Sequence, residues 1–137
     1  MQLQFFTNPK IITKGFENLQ LTNDSLIISN HLSINDLYYL DNILPENVLF
    51  AVYENEKKSL LNLNKNRKTF LYNPLNPQTL VELKNLIEGD TPVLIFPEVI
   101  AAPHRIVSRI YNEISDLIRR TNPTIFPICM SGGNISN

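Results

Sequence analysis

The sequence predicts an α/β fold, in which a mostly parallel central sheet is flanked by helices. Short, continuously apolar runs alternate with amphipathic stretches, which is the order in which β and α units are laid down in such folds. The 137 residues suffice for about one domain, because a typical domain has roughly 150. With 43% apolar and 18% charged residues, the composition is that of a folded globular chain.

The predicted strands are short runs of β-branched and aromatic residues. A first run, 10–15, is expected to be an edge strand that ends at Gly15. Five clearer strands follow at 25–28, 48–53, 69–72, 93–96 and 124–128. Because these runs are apolar throughout, we expect strands that are buried on both faces. Ligands of parallel sheets bind at the carboxyl ends of the strands, so the residues that follow each strand are the first candidates for a site.

Three helices are predicted between the strands. The first begins near Ser33. The second starts after Asn76, a good N-cap residue followed by a proline, and a left-handed Gly89 is expected to end it. The third covers about residues 105–120, where apolar residues recur at intervals of three and four. The stretch 57–68 holds five basic residues without a clear period, which predicts a solvated helix or loop.

Charge and composition argue against several classes of protein. The 12 Lys and Arg against 13 Asp and Glu give a net charge of -1, so we expect no nucleic-acid partner. The longest uncharged stretch, 121–137, contains Asn, Pro and Gly, and predicts no membrane-spanning helix. A single cysteine and two histidines show no metal-ligand spacing, so neither a metal nor a cofactor is expected. Without a signal-peptide pattern or cysteine pairs, the chain is expected to be cytoplasmic.

The most informative segment, 30–36, directly follows the predicted strand 25–28. A neutral imidazole can accept a proton from a hydroxyl, and a carboxylate on its other nitrogen fixes the tautomer. His31 and Asp36 are therefore a candidate proton relay, and the attacking hydroxyl would have to come from a substrate because no protein nucleophile accompanies them. The alternative is a capping box, in which Ser33 and Asp36 serve only a helix start.

A second candidate, Glu98, follows Phe96 and Pro97 at the end of the strand predicted at 93–96. Pro97 ends the hydrogen-bonded ladder, which would direct Glu98 to the same edge of the sheet as His31. There the carboxylate could contact a polyol hydroxyl, or it could be an ordinary surface glutamate.

Three cations, His104, Arg105 and Arg109, open the predicted third helix close to Glu98 in the chain. They could bind a phosphate, and their place at a helix start, which is mildly unfavourable for the helix dipole, favours a functional reason for them. The alternative is a solvated surface. The turn at 73–77 needs no functional explanation, because helix capping explains Asn76.

Three blocks in this order resemble the motifs of the glycerolipid acyltransferase family, of the lysophosphatidic acid acyltransferase type. They are Asn30-His31-x4-Asp36, Phe96-Pro97-Glu98 and Phe126-Pro127-Ile128, and the resemblance extends over nearly the whole chain. Within that family, the segments 50–53, 74–77 and 110–111 most resemble bacterial bifunctional enzymes that join an acyltransferase domain to an acyl-carrier-protein synthetase.

The resemblance implies that His31, oriented by Asp36, deprotonates the free hydroxyl of a lysophospholipid, which then attacks an acyl thioester. The implied acyl donor is acyl-carrier protein or acyl-CoA, and the protein would be associated peripherally with the inner face of the membrane. Phe5 and Phe6 together with the stretch 57–68 could rest on an anionic surface, or could be ordinary surface. The predicted substrate-binding residues are Asn30, Ser33, Phe96, Pro97, Glu98, His104, Arg105, Arg109 and Pro127.

The chain departs from the family pattern after Glu98. Where the family usually continues with glycine and often arginine, this chain has Val99 and Ile100. A β-branched residue resists the backbone angles that glycine adopts, and the missing arginine removes the expected phosphate contact unless the cations at 104–109 replace it. The alternative function is therefore a non-catalytic binding or regulatory domain with this fold. We also expect residues 1–137 to be one domain, the N-terminal part of a longer protein or a shortened relative of one.

Overall fold

Seven strands and three α-helices form the part of the chain that the structure describes. This structure is a computed structural model, and it describes residues 2–4, 12–16, 19–31, 33, 35–98 and 111–131. The strands are β1 (Gln2–Gln4), β2 (Ile12–Lys14), β3 (Ser25–Ser29), β4 (Leu49–Tyr53), β5 (Thr69–Tyr72), β6 (Val93–Ile95) and β7 (Thr124–Ser131). The helices are α1 (Asp36–Ile43), α2 (Pro77–Ile87) and α3 (Asn112–Thr121), and a 3-10 segment, Glu54–Asn62, follows β4.

The strands form one sheet in the order β2-β1-β7-β3-β6-β4-β5. The five strands from β7 to β5 are all parallel, β1 runs parallel to β7, and β2 is antiparallel to β1. This confirms the predicted α/β fold with a mostly parallel sheet flanked by helices. The edge strand predicted at 10–15 is β2, and Gly15 follows it with a positive φ of 76°.

The direction in which the chain crosses the sheet determines which face each helix covers. From β3 through β4 to β5 the chain moves toward one edge of the sheet, and α1 and the 3-10 segment are the connections. From β5 through β6 to β7 it moves back, and α2 and α3 are the connections. Because parallel crossovers are right-handed, this reversal places the two sets of connections on opposite faces. The neighbours β3 and β6 are followed by connections that leave in opposite directions, so they are the pair between which open α/β sheets form a ligand crevice.

The core is divided into two buried clusters, one on each face of the sheet. In β3 the alternation of side chains sends Ile27 to the cluster beneath α1 and Leu26 to the cluster beneath α2 and α3. Strands β3, β4 and β6 are buried on both faces, as predicted. The same prediction is wrong for β5, which lies at a sheet edge, and for β7, where Ile125 is 46% exposed.

Helix α2 begins as predicted but ends differently. The side chain of Asn76 accepts a hydrogen bond from the Gln78 amide at 3.1 Å, so Asn76 is the N-cap. Of the described glycines, Gly15 has a positive φ, so the left-handed conformation predicted for Gly89 is wrong. A Cβ at Gly89 would lie 3.3 Å from the carbonyl oxygens of Asn85 and Leu86, and this close approach accounts for the glycine.

The other two helices start later than predicted. Helix α1 begins at Asp36, three residues after Ser33. Helix α3 begins at Asn112 because Tyr111 has extended backbone angles, which excludes one continuous helix over 105–120. Residues 105–110 lie outside the described part of the chain. The apolar spacing correctly predicted that Ile114 and Leu117 face the core.

The basic stretch 57–68 is mostly solvated, but Leu60 and Leu63 pack partly buried against the core and Arg67 is buried. The 3-10 segment has no buried residue, whereas Arg67 is 8% exposed. Its guanidinium donates to the Asp41 carboxylate at 2.7 Å and to four backbone carbonyls at the end of α1 and the turn before β4. It also lies 4.3 Å above the centre of the Phe50 ring. Arg67 therefore fixes α1 to the sheet by satisfying carbonyls that the helix end leaves open.

Candidate active site

His31 lies just beyond the carboxyl end of β3, beside the crevice between β3 and β6. The preceding residue, Asn30, extends the sheet with its side chain: the amide nitrogen donates to the Met130 carbonyl at 3.0 Å, and the amide oxygen accepts from the Met130 amide at 2.6 Å. These bonds attach the end of β3 to β7. The backbone from which His31 projects is therefore held at a fixed place.

The His31 ring is enclosed, with 2% of the residue exposed. Nδ1 lies 2.8 Å from Asp36 Oδ2, and Nε2 lies 2.9 Å from Glu56 Oε1. The ring stacks on Phe96, with the ring centres 4.2 Å apart and the planes inclined by 14°. His31 follows β3, Phe96 follows β6, and Glu56 lies in the segment after β4. Residues beyond the ends of three neighbouring strands therefore surround one imidazole.

Asp36 combines the two roles that the sequence left open. It is the first residue of α1 and is fully buried, and its Oδ2 accepts from the Ser33 amide at 2.9 Å as well as contacting His31. The Ser33 hydroxyl accepts from the Asn35 amide, and the Asp36 amide donates to the Ser33 carbonyl. One half of a capping box is therefore present, and the same carboxylate that serves the helix start also orients the histidine.

Glu98 reaches the same site from the end of β6. Its Oε1 accepts a hydrogen bond from the His31 backbone amide at 3.1 Å, and the residue is 9% exposed. The structure thus places Glu98 at the edge of the sheet predicted for it, and the alternative of an ordinary surface glutamate is wrong. Its contact fixes the His31 backbone, while its predicted contact with substrate remains a prediction.

Glu56 was missed by the sequence-based predictions. It lies in the 3-10 segment after β4, and its side chain is 13% exposed. The signal that could have found it is its place three residues beyond the end of β4, at the same carboxyl edge as His31 and Glu98. Its neighbours in the chain, Asn55 and Lys57, are polar and exposed, so the local sequence resembles solvated surface.

The two carboxylates determine the charge of His31. Burial alone would lower the pKa of this imidazole, but hydrogen bonds to Asp36 and Glu56 and the charges of both carboxylates outweigh burial and raise the pKa from 6.5 to about 9. In this arrangement the ring carries a proton on both nitrogens at neutral pH. That differs from the neutral imidazole expected of a free histidine.

The remaining predicted site residues are placed only in part. Pro97 is half-buried in the turn between Phe96 and Glu98. Pro127 is exposed and pairs in register with Ile28, on the face of β7 opposite to Phe126. Their predicted roles, like those of Asn30 and Ser33, remain predictions. The predictions at His104, Arg105, Arg109, Val99 and Ile100 concern residues outside the described part of the chain.

Two further features of the described ranges bear on the kind of site. They contain no group of three or more His, Cys, Asp or Glu side chains that could hold a metal ion. No helix within them is long and apolar enough to cross a bilayer.

A buried histidine paired with an aspartate at the carboxyl edge of a parallel sheet is an arrangement that can serve general-base chemistry. A family model described as Acyltransferase matches residues 10–131, which include all the site residues described above. The chain therefore belongs to this acyltransferase family, in agreement with the resemblance of its motifs. No solved structure matches the chain.

Proposed function

We propose that the protein transfers an acyl chain from an acyl thioester to the free hydroxyl of a lysophospholipid, with His31 as the general base. The single observation that carries this proposal is the 2.8 Å contact between His31 Nδ1 and the buried Asp36 carboxylate. Membership of the acyltransferase family supports acyl transfer as the reaction. The likeness of the motifs to glycerolipid acyltransferases, and within them to the bacterial bifunctional subfamily, supports the lipid acceptor.

The proposed reaction has two steps. In the first step, His31 Nε2 takes the proton of the acceptor hydroxyl while the hydroxyl oxygen forms a bond to the thioester carbonyl carbon. The carbon–sulfur bond then breaks, and His31 returns the proton to the leaving thiol. Asp36 stays ionised, holds the tautomer with the free lone pair on Nε2, and stabilises the imidazolium that forms.

Positioning around the base is supplied by the neighbouring strands. The stacked Phe96 ring and the Glu98 contact to the His31 amide restrict the imidazole to one orientation. Proton transfer by a positioned base contributes about 10²–10⁴ in rate, and the remainder comes from holding the two substrates together and stabilising the oxyanion. Glu98 is also the proposed contact for the polar part of the acceptor.

We propose that the protein meets its lipid at the inner face of the membrane, as a peripheral protein. Four exposed lysines, Lys57, Lys58, Lys65 and Lys68, lie in and after the 3-10 segment and could attract anionic headgroups. Exchanging all four for glutamine should weaken binding to anionic vesicles and leave binding to neutral vesicles unchanged. Equal binding of both proteins to anionic vesicles would contradict this part of the proposal.

The reaction is tested with purified protein, a panel of lysophospholipids, and either acyl-CoA or acyl-carrier protein as donor. The wild type should form the diacyl product with at least one pair, and His31→Gln should lose at least about 10²-fold in rate because no base remains. Circular dichroism checks that the variant is folded. An inert wild type over the whole panel would instead favour the non-catalytic alternative, and an unimpaired variant would exclude His31 as the base.

A further inference from the structure

The position that an acceptor hydroxyl needs is already occupied. Because Asp36 holds Nδ1, only Nε2 of His31 can accept the proton, and the hydroxyl must come within about 3.2 Å of it. Glu56 Oε1 lies 2.9 Å from Nε2, and His31 is only 2% exposed. Nε2 has one bonding position in the ring plane, so it cannot donate a proton to Glu56 and accept one from the acceptor hydroxyl at the same time.

The charge state agrees with a blocked site. A histidine that serves two carboxylates donates from both nitrogens and has no lone pair left for a substrate. With the pKa raised to about 9, the ring is predominantly protonated at pH 7. Among the described residues, the charged or titratable groups that contact the ring or its amide are Asp36 from α1, Glu56 from the 3-10 segment and Glu98 from the end of β6.

The segment that carries Glu56 is lightly anchored. None of its nine residues is fully buried. Leu61 is 82% exposed, and its other apolar residue, Leu60, packs only partly buried against the core. Glu56 itself has non-helical backbone angles, φ -105° and ψ 18°, at a kink between two short 3-10 turns. Segments with little buried apolar surface open at low free-energy cost, and a kink is a natural place for the backbone to bend.

We propose that the structure represents a closed state of the active site, in which Glu56 blocks His31 Nε2, and that displacement of the 3-10 segment opens the site to the acceptor hydroxyl. This inference rests on the proposed function for its consequence on acyl transfer. The acceptor then takes the place of the Glu56 carboxylate. Loss of that carboxylate also lets His31 give up its second proton, so that opening and activation of the base occur together.

The test compares Glu56→Ala with a matched variant in the same segment, Glu54→Gln. Glu54 is exposed and accepts from the Asn73 side chain at 2.9 Å, so its exchange alters a carboxylate without touching His31. Imidazole NMR titration gives the His31 pKa, and the rate of carbethoxylation by diethyl pyrocarbonate, located on His31 by mass spectrometry, gives access to its nitrogen. Neither measurement requires a substrate.

In Glu56→Ala we expect the His31 pKa to fall by at least one unit and carbethoxylation at pH 7 to become at least about tenfold faster, because both the charge and the obstruction are gone. Glu54→Gln should match the wild type in both. Acyl transfer at pH 7 should rise in Glu56→Ala, and the acidic limb of its pH profile should move to lower pH.

Three results would overturn the inference. An unchanged His31 pKa and carbethoxylation rate would show that Glu56 does not close the site in solution. Acyl transfer that falls in Glu56→Ala as far as in His31→Gln would make Glu56 a participant in the reaction instead of a block. Equal changes in both glutamate variants would show that altering the segment, and not removing the Glu56 carboxylate, causes the effect. If no protein transfers acyl chains but Glu56→Ala is still modified faster, the proposed function fails while the closed site stands.

Discussion

Raising the pH through the range in which His31 loses its proton should weaken the fold by a predictable amount. The pKa is raised from 6.5 to about 9 on folding by Asp36 and Glu56, against the opposing effect of burial. Because the folded state binds the proton more tightly, the stabilisation is complete below pH 6.5 and disappears as the pH rises through 9. Each tenfold change in proton affinity corresponds to about 1.4 kcal/mol, so the total is about 3 kcal/mol.

His31 is well suited to this measurement because other shifted groups titrate elsewhere. Hydrogen bonds from the Thr22 and Thr124 hydroxyls lower the pKa of Asp24, and burial raises the pKa of Tyr72 above its usual range. Among the described groups with a shifted pKa, His31 is thus the one that titrates between pH 6.5 and 9. The ring is 2% exposed, so solvent screening is weak.

The assay is urea unfolding at pH 6 and pH 9.5, followed by circular dichroism, for the wild type and for His31→Gln. The wild type should lose about 3 kcal/mol between the two pH values, and the variant less than about 1 kcal/mol, because it has no imidazole to titrate. Groups that ionise at high pH in both proteins cancel in the comparison. Equal losses in both proteins would refute the reasoning that places His31 between two ionised carboxylates.

Two further predictions concern side chains that act through others. Asp36→Asn should reduce acyl transfer about 10²–10⁴-fold while the far-ultraviolet spectrum stays unchanged, because an amide still accepts from the Ser33 amide but no longer stabilises an imidazolium; full activity would contradict this. Arg67→Met should destabilise the fold by about 3–5 kcal/mol in urea, because the Asp41 carboxylate loses its ion-pair partner and four carbonyls lose the guanidinium as a donor. Arg119→Met should change stability by less than about 1 kcal/mol, because Arg119 is 77% exposed in its ion pair with Asp116. Equal effects of the two arginine variants would contradict it.

Predictions from local patterns succeeded where the cause is itself local. The apolar runs predicted β3 to β7 within a few residues, because strand formation depends on short stretches of β-branched and aromatic side chains. Asn76 was identified as an N-cap because capping involves only its own first helical turn. The prediction failed at Gly89, where sequence cannot distinguish a left-handed residue from one that approaches a carbonyl closely.

The same distinction between local and long-range contacts applies to the side chains around the candidate site. His31 and Asp36 are five residues apart at the end of one strand, so the short connection brings them together without help from the rest of the chain. Arg67 could not be recognised, because its partners at 41–48 lie some twenty residues away in sequence and it stands beside exposed lysines. Its burial depends on how α1 meets the sheet.

By itself, the sequence determined an α/β chain with a His31 and Asp36 pair at a strand end and the motifs of an acyltransferase. Only the tertiary structure decided what surrounds that pair. The strand order places β6 between β3 and β4, so residues from distant parts of the chain converge on one imidazole. Glu98 thereby holds the His31 amide and Glu56 occupies its Nε2. The charge on His31 follows from this convergence, because a pKa depends on distances through space and on burial, which spacing along the chain does not contain.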